Sequence, residues 1–424
     1  MMKNEIKRTP LRQWHASHHA NMADFGGYEM PLWYASVKDE NLSVLTGAGI
    51  FDTSHMATVM VNGPGAYELL QLCHTKDLAR CIGPDKKPLY AGRCIYSAFL
   101  NESGEALDDA IIYQLEKNNY MVVVNAGMGK EIVGHLNRYK IKQNVEVIDL
   151  TDQVGKMDIQ GIAAAKVMKK ILVDPDSVFE KMPYFSFKGF FNASNAFSKK
   201  ILTADGTPIL LSRTGYTGEF GFEIFVDPNK ILKLWEMILE AGKEFDITPC
   251  GLAARDSLRV GAVLPLSHQD IGPWPFVNHP WSFALPYNKD HSGFTKDFIG
   301  SKALENGSCL QHTYAFVGND LRKISAGDSA VVLNAKGETI GTVLTCVTDM
   351  GIGRHKERIY SIASPDKPEG FKSKGLCCGF VRVTSKLVAG QIIEIMDNRR
   401  KLSVTVTNDI RPDRTARCPI KKMI

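Results

Sequence analysis

Short apolar runs divide this chain into segments that can be assigned one at a time. Thr58 to Val61 predicts a strand, Gly63-Pro64-Gly65 a turn, and Ala66 to Cys73, with Leu69, Leu70 and Leu72, a helix. Tyr96 to Leu100 predicts a strand ended by the polar turn Asn101-Glu102-Ser103-Gly104. Asp108 and Asp109 then lead into Ala110 to Tyr113, and Lys117-Asn118-Asn119 turns the chain into Tyr120 to Val124, a hairpin closed by Asn125. Asp158-Ile159-Gln160-Gly161 precedes Ile162 to Leu172, which has helical spacing. Ile231 to Phe245 is the clearest amphipathic helix, with Ile231, Leu234, Trp235, Ile238 and Ala241 on one stripe. Gly26 to Tyr34 mixes glycines and a proline with apolar side chains and predicts a loop packed on a core.

Beyond about residue 305 the texture changes. Tyr314 to Val317, Ser329 to Leu333, Thr339 to Cys346, Gly379 to Val383, Gln391 to Met396 and Leu402 to Val406 are β-rich runs without intervening helices. Such a series predicts a small barrel or sandwich. The polar stretch Gly351 to Lys374 predicts an exposed excursion. The pattern therefore gives an α+β region over 1–305, expected to hold two interleaved domains, and a β-rich region over 306–424.

A chain of 424 residues is too long for one ordinary core. Its 44% hydrophobic and 23% charged residues are those of a globular protein. The net charge of +5 is too small and scattered to predict a nucleic-acid partner. No apolar run is long enough to span a membrane, and the first ten residues have no signal-peptide core, so the expectation is a cytoplasmic protein. Nine cysteines without framework spacing predict free thiols. His15, His18 and His19 cluster, but no third ligand accompanies them, so no metal is expected.

Three stretches can carry chemistry. Neighbours on a strand face opposite ways, so only one of Asp108 and Asp109 reaches a given pocket, while the other braces the turn. Within Arg213 to Ile224, Gly215, Gly218 and Gly221 permit close approach of other groups. Glu223 stands there between Phe222 and Ile224, where a lone carboxylate needs a partner, and Arg255 and Arg259 offer one. Either a structural ion pair or a ligand pocket follows from that spacing.

Seven stretches occur in a telling order: Arg8-Thr9-Pro10-Leu11, Phe25 to Pro31, Gly49 to Met56, Leu107-Asp108-Asp109, Val124-Asn125-Ala126, Gly215 to Glu223, and Ala254 to Arg259. Together they resemble the T-protein (aminomethyltransferase) family of the glycine cleavage system. The resemblance implies a three-domain fold with a C-terminal β-barrel around a central channel, and tetrahydrofolate as cofactor. It implies Asp109 as the catalytic carboxylate, and Met56, Tyr96, Asn125, Tyr216, Glu223 and Arg255 around the folate ring, with Glu223 and Arg255 paired.

Departures from the family pattern fall elsewhere. Ser282 stands where a Glu is usual, and Leu266-Ser267-His268-Gln269-Asp270-Ile271 replaces L-Y-G-x-x-I. Trp274, Phe276 and Trp281 then suggest an aromatic cage for a cationic donor. The expected activity is one-carbon transfer to tetrahydrofolate, from a small-molecule donor or a lipoyl carrier protein. A folate-dependent demethylase of a small S-, O- or N-methyl metabolite is the alternative. A non-catalytic folate-binding accessory protein is the reading of another class, against which stands the lack of its G-C-Y-x-G-Q-E motif.

Overall fold

Period-two alternation over residues 106–116 produces one long strand. In the computed structural model, which describes residues 5–140, 144–191, 200–307, 309–327 and 329–424, Ala106–Glu116 alternates buried and half-buried positions. It pairs antiparallel with Arg93–Leu100 on one side and Asn119–Val124 on the other, and Asn118 takes the left-handed turn conformation at φ 66°. Ala57–Asn62 and Glu146–Asp149 extend the ladder to five antiparallel strands. Asp108 and Asp109 thus lie inside a strand, because pairing already starts at Ala106 opposite Leu100. The helices Ala66–Cys73 and Gly129–Tyr139 bury Leu69, Leu70, Ile132 and Leu136 against Val59, Ile112 and Val122 of this sheet.

A second sheet is centred on Gly155–Gln160, where every residue is buried. That strand runs antiparallel between Gly221–Val226 and Gly49–Asp52; Pro208–Ser212, Phe187–Gly189 and Thr248–Pro249 extend the path outward. The helix Ile231–Gly242 covers it, seating Ile231, Leu234, Trp235 and Ile238 on Met157, Ile159 and Ile224. Its regular part ends at Gly242; Lys243–Phe245 forms a tighter turn, closed by Asp246 at φ 54°.

One predicted loop is a strand. Tyr28–Trp33 pairs with Asn21–Phe25 and Lys7–Arg8, and Gly26 and Gly27 at φ 58° and 82° make the turn between two of these strands. The glycines therefore serve the hairpin and leave the apolar run free to pair.

The six β-rich runs of the last third are the six strands of a closed barrel, in the order 312–317, 376–383, 339–349, 331–333, 392–396 and 401–407. Gly351 to Lys374 is not wholly an exposed excursion: it holds a hairpin, Ile352–His355 with Arg358–Ser361, and Ile352 is fully buried.

The helix Leu252–Gly261 joins these parts. Ser257 donates to the Thr348 carbonyl of the barrel at 2.7 Å, and a Cβ at Gly261 would sit 1.8 Å from the Asp349 carboxylate. Arg411, fully buried, pairs at once with Glu219 at 3.0 Å and with Asp349. Its clasp ties the C-terminal segment and the barrel to the glycine-rich loop. Breaking such a buried ionic group by removing one member typically costs about 3–5 kcal/mol.

Candidate active site

Tyr96 and Asp109 stand on paired strands of the five-stranded sheet and point into a cavity of about 1330 Å³. Glu223 of the second sheet and Arg255 of the helix Leu252–Gly261 line the same cavity, as do Met56, Asn125, Tyr216 and His55. The structure thus brings together all seven residues that the sequence assigns to one folate pocket. Trp274, Phe276 and Trp281 are not among its lining residues.

On the first wall, Asp109 accepts from the Tyr96 hydroxyl at 2.7 Å and from Asn125 Nδ2 at 2.6 Å. Asp108 is fully buried and lies behind it, yet the same Asn125 Nδ2 donates to Asp108 Oδ1 at 2.7 Å. The Asn125 backbone N–H donates to Asp108 Oδ2 at 2.9 Å. Alternation does send the two acids to opposite faces, but Asn125, just past the end of its strand, bridges them. Burial, with the Asp109 charge beside it, pushes the Asp108 carboxyl up to about 7, and burial likewise raises Asp109. Burial thus favours the protonated form of both acids over that of an exposed carboxyl.

The second wall is built on alternation as well. Lys156, Asp158 and Gln160 point to one side of their strand, and all three are buried. Lys156 Nζ donates to Glu223 Oε1 at 2.6 Å and to Asp158 Oδ1 at 2.8 Å, while Arg255 donates to Asp158 Oδ2 at 2.5 Å. Glu223 and Arg255 are therefore not partners of each other. They are the two ends of a chain, Glu223–Lys156–Asp158–Arg255, with Thr214 also donating to Glu223. Burial alone would raise Asp158, but Lys156 and Arg255 hold it down to about 2. The Arg255 guanidinium lies 5.0 Å over the Tyr216 ring.

Gly215 and Gly218 make room for this wall. A Cβ at Gly215 would fall 2.2 Å from Gln160 Oε1, and Gly218, at φ 75°, would meet Ala262 at 2.6 Å.

The aromatic cage does not form. Trp281 and Phe276 are buried in the core beside Phe298 and Phe380, and Trp281 Nε1 donates to the Val263 carbonyl at 2.9 Å. Trp274 stacks under the Arg382 guanidinium of the barrel at 4.1 Å. Phe283, half exposed, is the aromatic of that segment that reaches the cavity, 5.6 Å from Tyr96. His15 spends both ring nitrogens on Asp52 at 3.0 Å and Tyr34 at 2.8 Å, and so braces the fold.

Known proteins resemble this chain over most of its length. The family model of the GCVT N-terminal domain matches residues 11–274. An aminomethyltransferase of Symbiobacterium thermophilum is 36% identical over 349 residues, 81% of this chain and 86% of that protein. One of Bacillus cytotoxicus is 31% identical over 384 residues, 85% and 97% of the two chains. The chain belongs to the T-protein (aminomethyltransferase) family. The solved glycine cleavage system aminomethyltransferase T of Bartonella henselae superposes on this T-protein fold with a TM-score of 0.73 at 26% identity, covering 95% of this chain and 97% of that one.

Sequence reasoning missed Lys156 and Asp158. The signal was present in Lys156-Met157-Asp158-Ile159-Gln160, where polar residues occupy every second position of a strand that is otherwise core. His55 is also in the wall; its Nδ1 is buried without a hydrogen-bond partner among the described residues, and burial lowers its ring to about 4. Among the described residues no group of three or more His, Cys, Asp or Glu is placed to hold a metal, and no helix is long and apolar enough to cross a membrane.

Proposed function

We propose that this T-protein-family chain transfers a one-carbon unit from a donor to tetrahydrofolate, as the aminomethyltransferases it resembles do. The observation that carries the reading is the pairing, across one cavity, of a proton-holding acid wall with a fixed ion-chain wall.

The residues fit a folate. An aminopyrimidinone edge offers N–H donors beside a carbonyl. Glu223 retains accepting capacity beyond its bonds to Lys156, Thr214 and Tyr113, and Arg255 retains donors beyond its bond to Asp158. The orphaned His55 Nδ1 is a further polar atom in the same wall. The cavity exceeds the roughly 300–1,000 Å³ of an ordinary small-molecule site, which suits an extended ligand together with a donor. Arg93, Arg414 and Arg417 also line it and suit a carboxylate tail.

When bound, tetrahydrofolate would supply the nitrogens that accept the one-carbon unit. Glu223 and Arg255 would hold its ring, and Met56 and Tyr216 would pack on it. Asp109 would orient the accepting nitrogen and take its proton, with Tyr96 and Asn125 fixing the carboxylate. Two reactants held in one closed site gain much of their rate from position alone.

Of the two donors, an aminomethyl group carried on a lipoyl arm is the reading favoured here. The demethylase alternative rested on an aromatic cage, of which Phe276 and Trp281 lie in the core and Trp274 stacks on Arg382. The test is turnover with tetrahydrofolate and a panel of donors, including aminomethylated carrier protein and cationic methyl donors. Methylenetetrahydrofolate from the carrier alone supports the reading; methyltetrahydrofolate from a small methyl donor replaces it with the demethylase.

A further inference from the structure

A donor entering the cavity needs a surface outside the two walls, and the lining holds one large side chain that neither wall uses. Among the described residues, Phe283 is the one large apolar side chain that both lines this cavity and stands exposed, at 50%. Its ring lies 5.6 Å from that of Tyr96, whose hydroxyl donates to Asp109. Phe283 thus stands where the cavity meets solvent, one ring away from the acid wall. An apolar face left in water at such a place gains free energy when a ligand covers it.

The neighbours of Phe283 hold it there. Ser282–Ala284 is a single tight turn, in which the Ala284 N–H donates to the Trp281 carbonyl at 3.0 Å. Trp281 and Ala284 are fully buried, so the turn is seated on the core while Phe283 faces out. Trp281 Nε1 donates to the Val263 carbonyl, Thr75 Oγ1 donates to the Ala284 carbonyl at 2.8 Å, and Lys76 Nζ donates to the Phe283 carbonyl. With its backbone fixed at these points, little ordering of the turn is left to oppose binding.

The charge around the ring decides which donor it accepts. Ile82 and Pro280 line the cavity beside Lys76, whose ammonium sits on the Phe283 carbonyl and is in no ion pair among the described residues. Ser282 stands where a Glu is usual in the family, so the residue next to Phe283 brings no anion. A cationic donor stacked on this ring faces the like charge of Lys76, whereas an uncharged alkyl chain does not. We infer that Phe283 is a specificity-determining residue, which packs on the uncharged alkyl part of the one-carbon donor and selects it over cationic donors. That donor is named on the one-carbon-transfer reading, whereas contact with an alkyl chain does not depend on it.

The contact is tested without turnover, on the full chain with 4-fluorophenylalanine at position 283 alone. Dihydrolipoamide, an uncharged alkyl dithiol, should shift the fluorine resonance saturably at millimolar concentration, and a quaternary alkylammonium of similar length should bind more weakly. No shift from dihydrolipoamide, or equal or tighter binding of the ammonium, overturns the proposal. In turnover with the aminomethylated carrier, Phe283→Ala should raise the donor's KM about fivefold or more and leave that of tetrahydrofolate within about twofold. Phe283→Leu, which keeps apolar area, should restore most of the loss. An unchanged donor KM, a parallel rise in both constants, or a Leu variant as poor as the Ala one also overturns it. If the wild-type chain turns over no donor at all, the one-carbon reading fails instead, and the fluorine titration still decides the contact.

Discussion

Both walls of the cavity bury carboxylates, and they do opposite things with them. Asp108 and Asp109 have hydroxyl and amide partners and only a half-exposed histidine nearby, so burial raises both. Asp158 is as deeply buried, but Lys156 and Arg255 bracket it and hold it near 2. The difference is one of counter-charge. A buried carboxylate without a close cation stores a proton, while one with two cations becomes a rigid strut. The first wall is built to move protons and the second to hold shape, and a transferase acting on a ring nitrogen needs both.

The largest expected effect is on the first wall. Asp109→Asn keeps its bonds to Tyr96 or Asn125 in part but cannot take a proton, so kcat should fall about 10²–10⁴-fold while the chain folds normally. Steady-state kinetics beside thermal melting checks this, and full activity would remove Asp109 from its role. On the second wall, Lys156→Met leaves Glu223 and Asp158 without their shared cation. A loss of about 3–5 kcal/mol is expected in denaturant unfolding. A loss below about 1 kcal/mol would mean that the chain of charges is not a strut.

The walls should also respond to pH with opposite sign. Asp158 has a folded value below its unfolded one near 4, so its contribution is present above pH 4 and is lost as pH falls towards about 2. Asp108 has a folded value raised to about 7, so the native state binds the extra proton and stability falls as pH rises from about 4 through 7. Asp108→Asn should therefore gain stability relative to the wild type across pH 4–7, in unfolding measured at stepped pH. A constant difference would show that the pair is not raised by burial. The smallest effect is expected far from both walls. Trp274→Ala removes a cation–π contact with Arg382 and should cost about 0.5–1 kcal/mol without changing the donor's KM; a raised KM would restore the aromatic-cage reading.

What the sequence made legible divides along the same line. The six barrel strands were visible because each is a β-rich run bounded by turn residues, and Asp109, Asn125, Glu223 and Arg255 were visible through their motifs. The partnership of Glu223 with Arg255 was misread because the cation and anion between them, Lys156 and Asp158, come from a third element. Long-range insertion of that kind leaves only an alternation in an otherwise apolar strand. The aromatic segment was misread for a related reason. Trp, Phe and Trp at 274, 276 and 281 satisfy a cage and a packed segment equally well in sequence, and only the barrel, with Phe380 against Trp281 and Arg382 over Trp274, decides for packing. Tyr28–Trp33 was hidden by its glycines and proline, which serve the turn and an irregular pairing at Pro31.

All of this rests on tetrahydrofolate occupying the cavity between the walls. Isothermal calorimetry of the full chain tests that directly, with tetrahydrofolate titrated into wild type, Asp109→Asn and Arg255→Met. The account predicts saturable heat for the wild type, heat of similar affinity for Asp109→Asn, and affinity at least about tenfold weaker for Arg255→Met, in keeping with a lost charge-assisted contact. No heat from the wild type at millimolar folate, or full affinity in Arg255→Met, would contradict it.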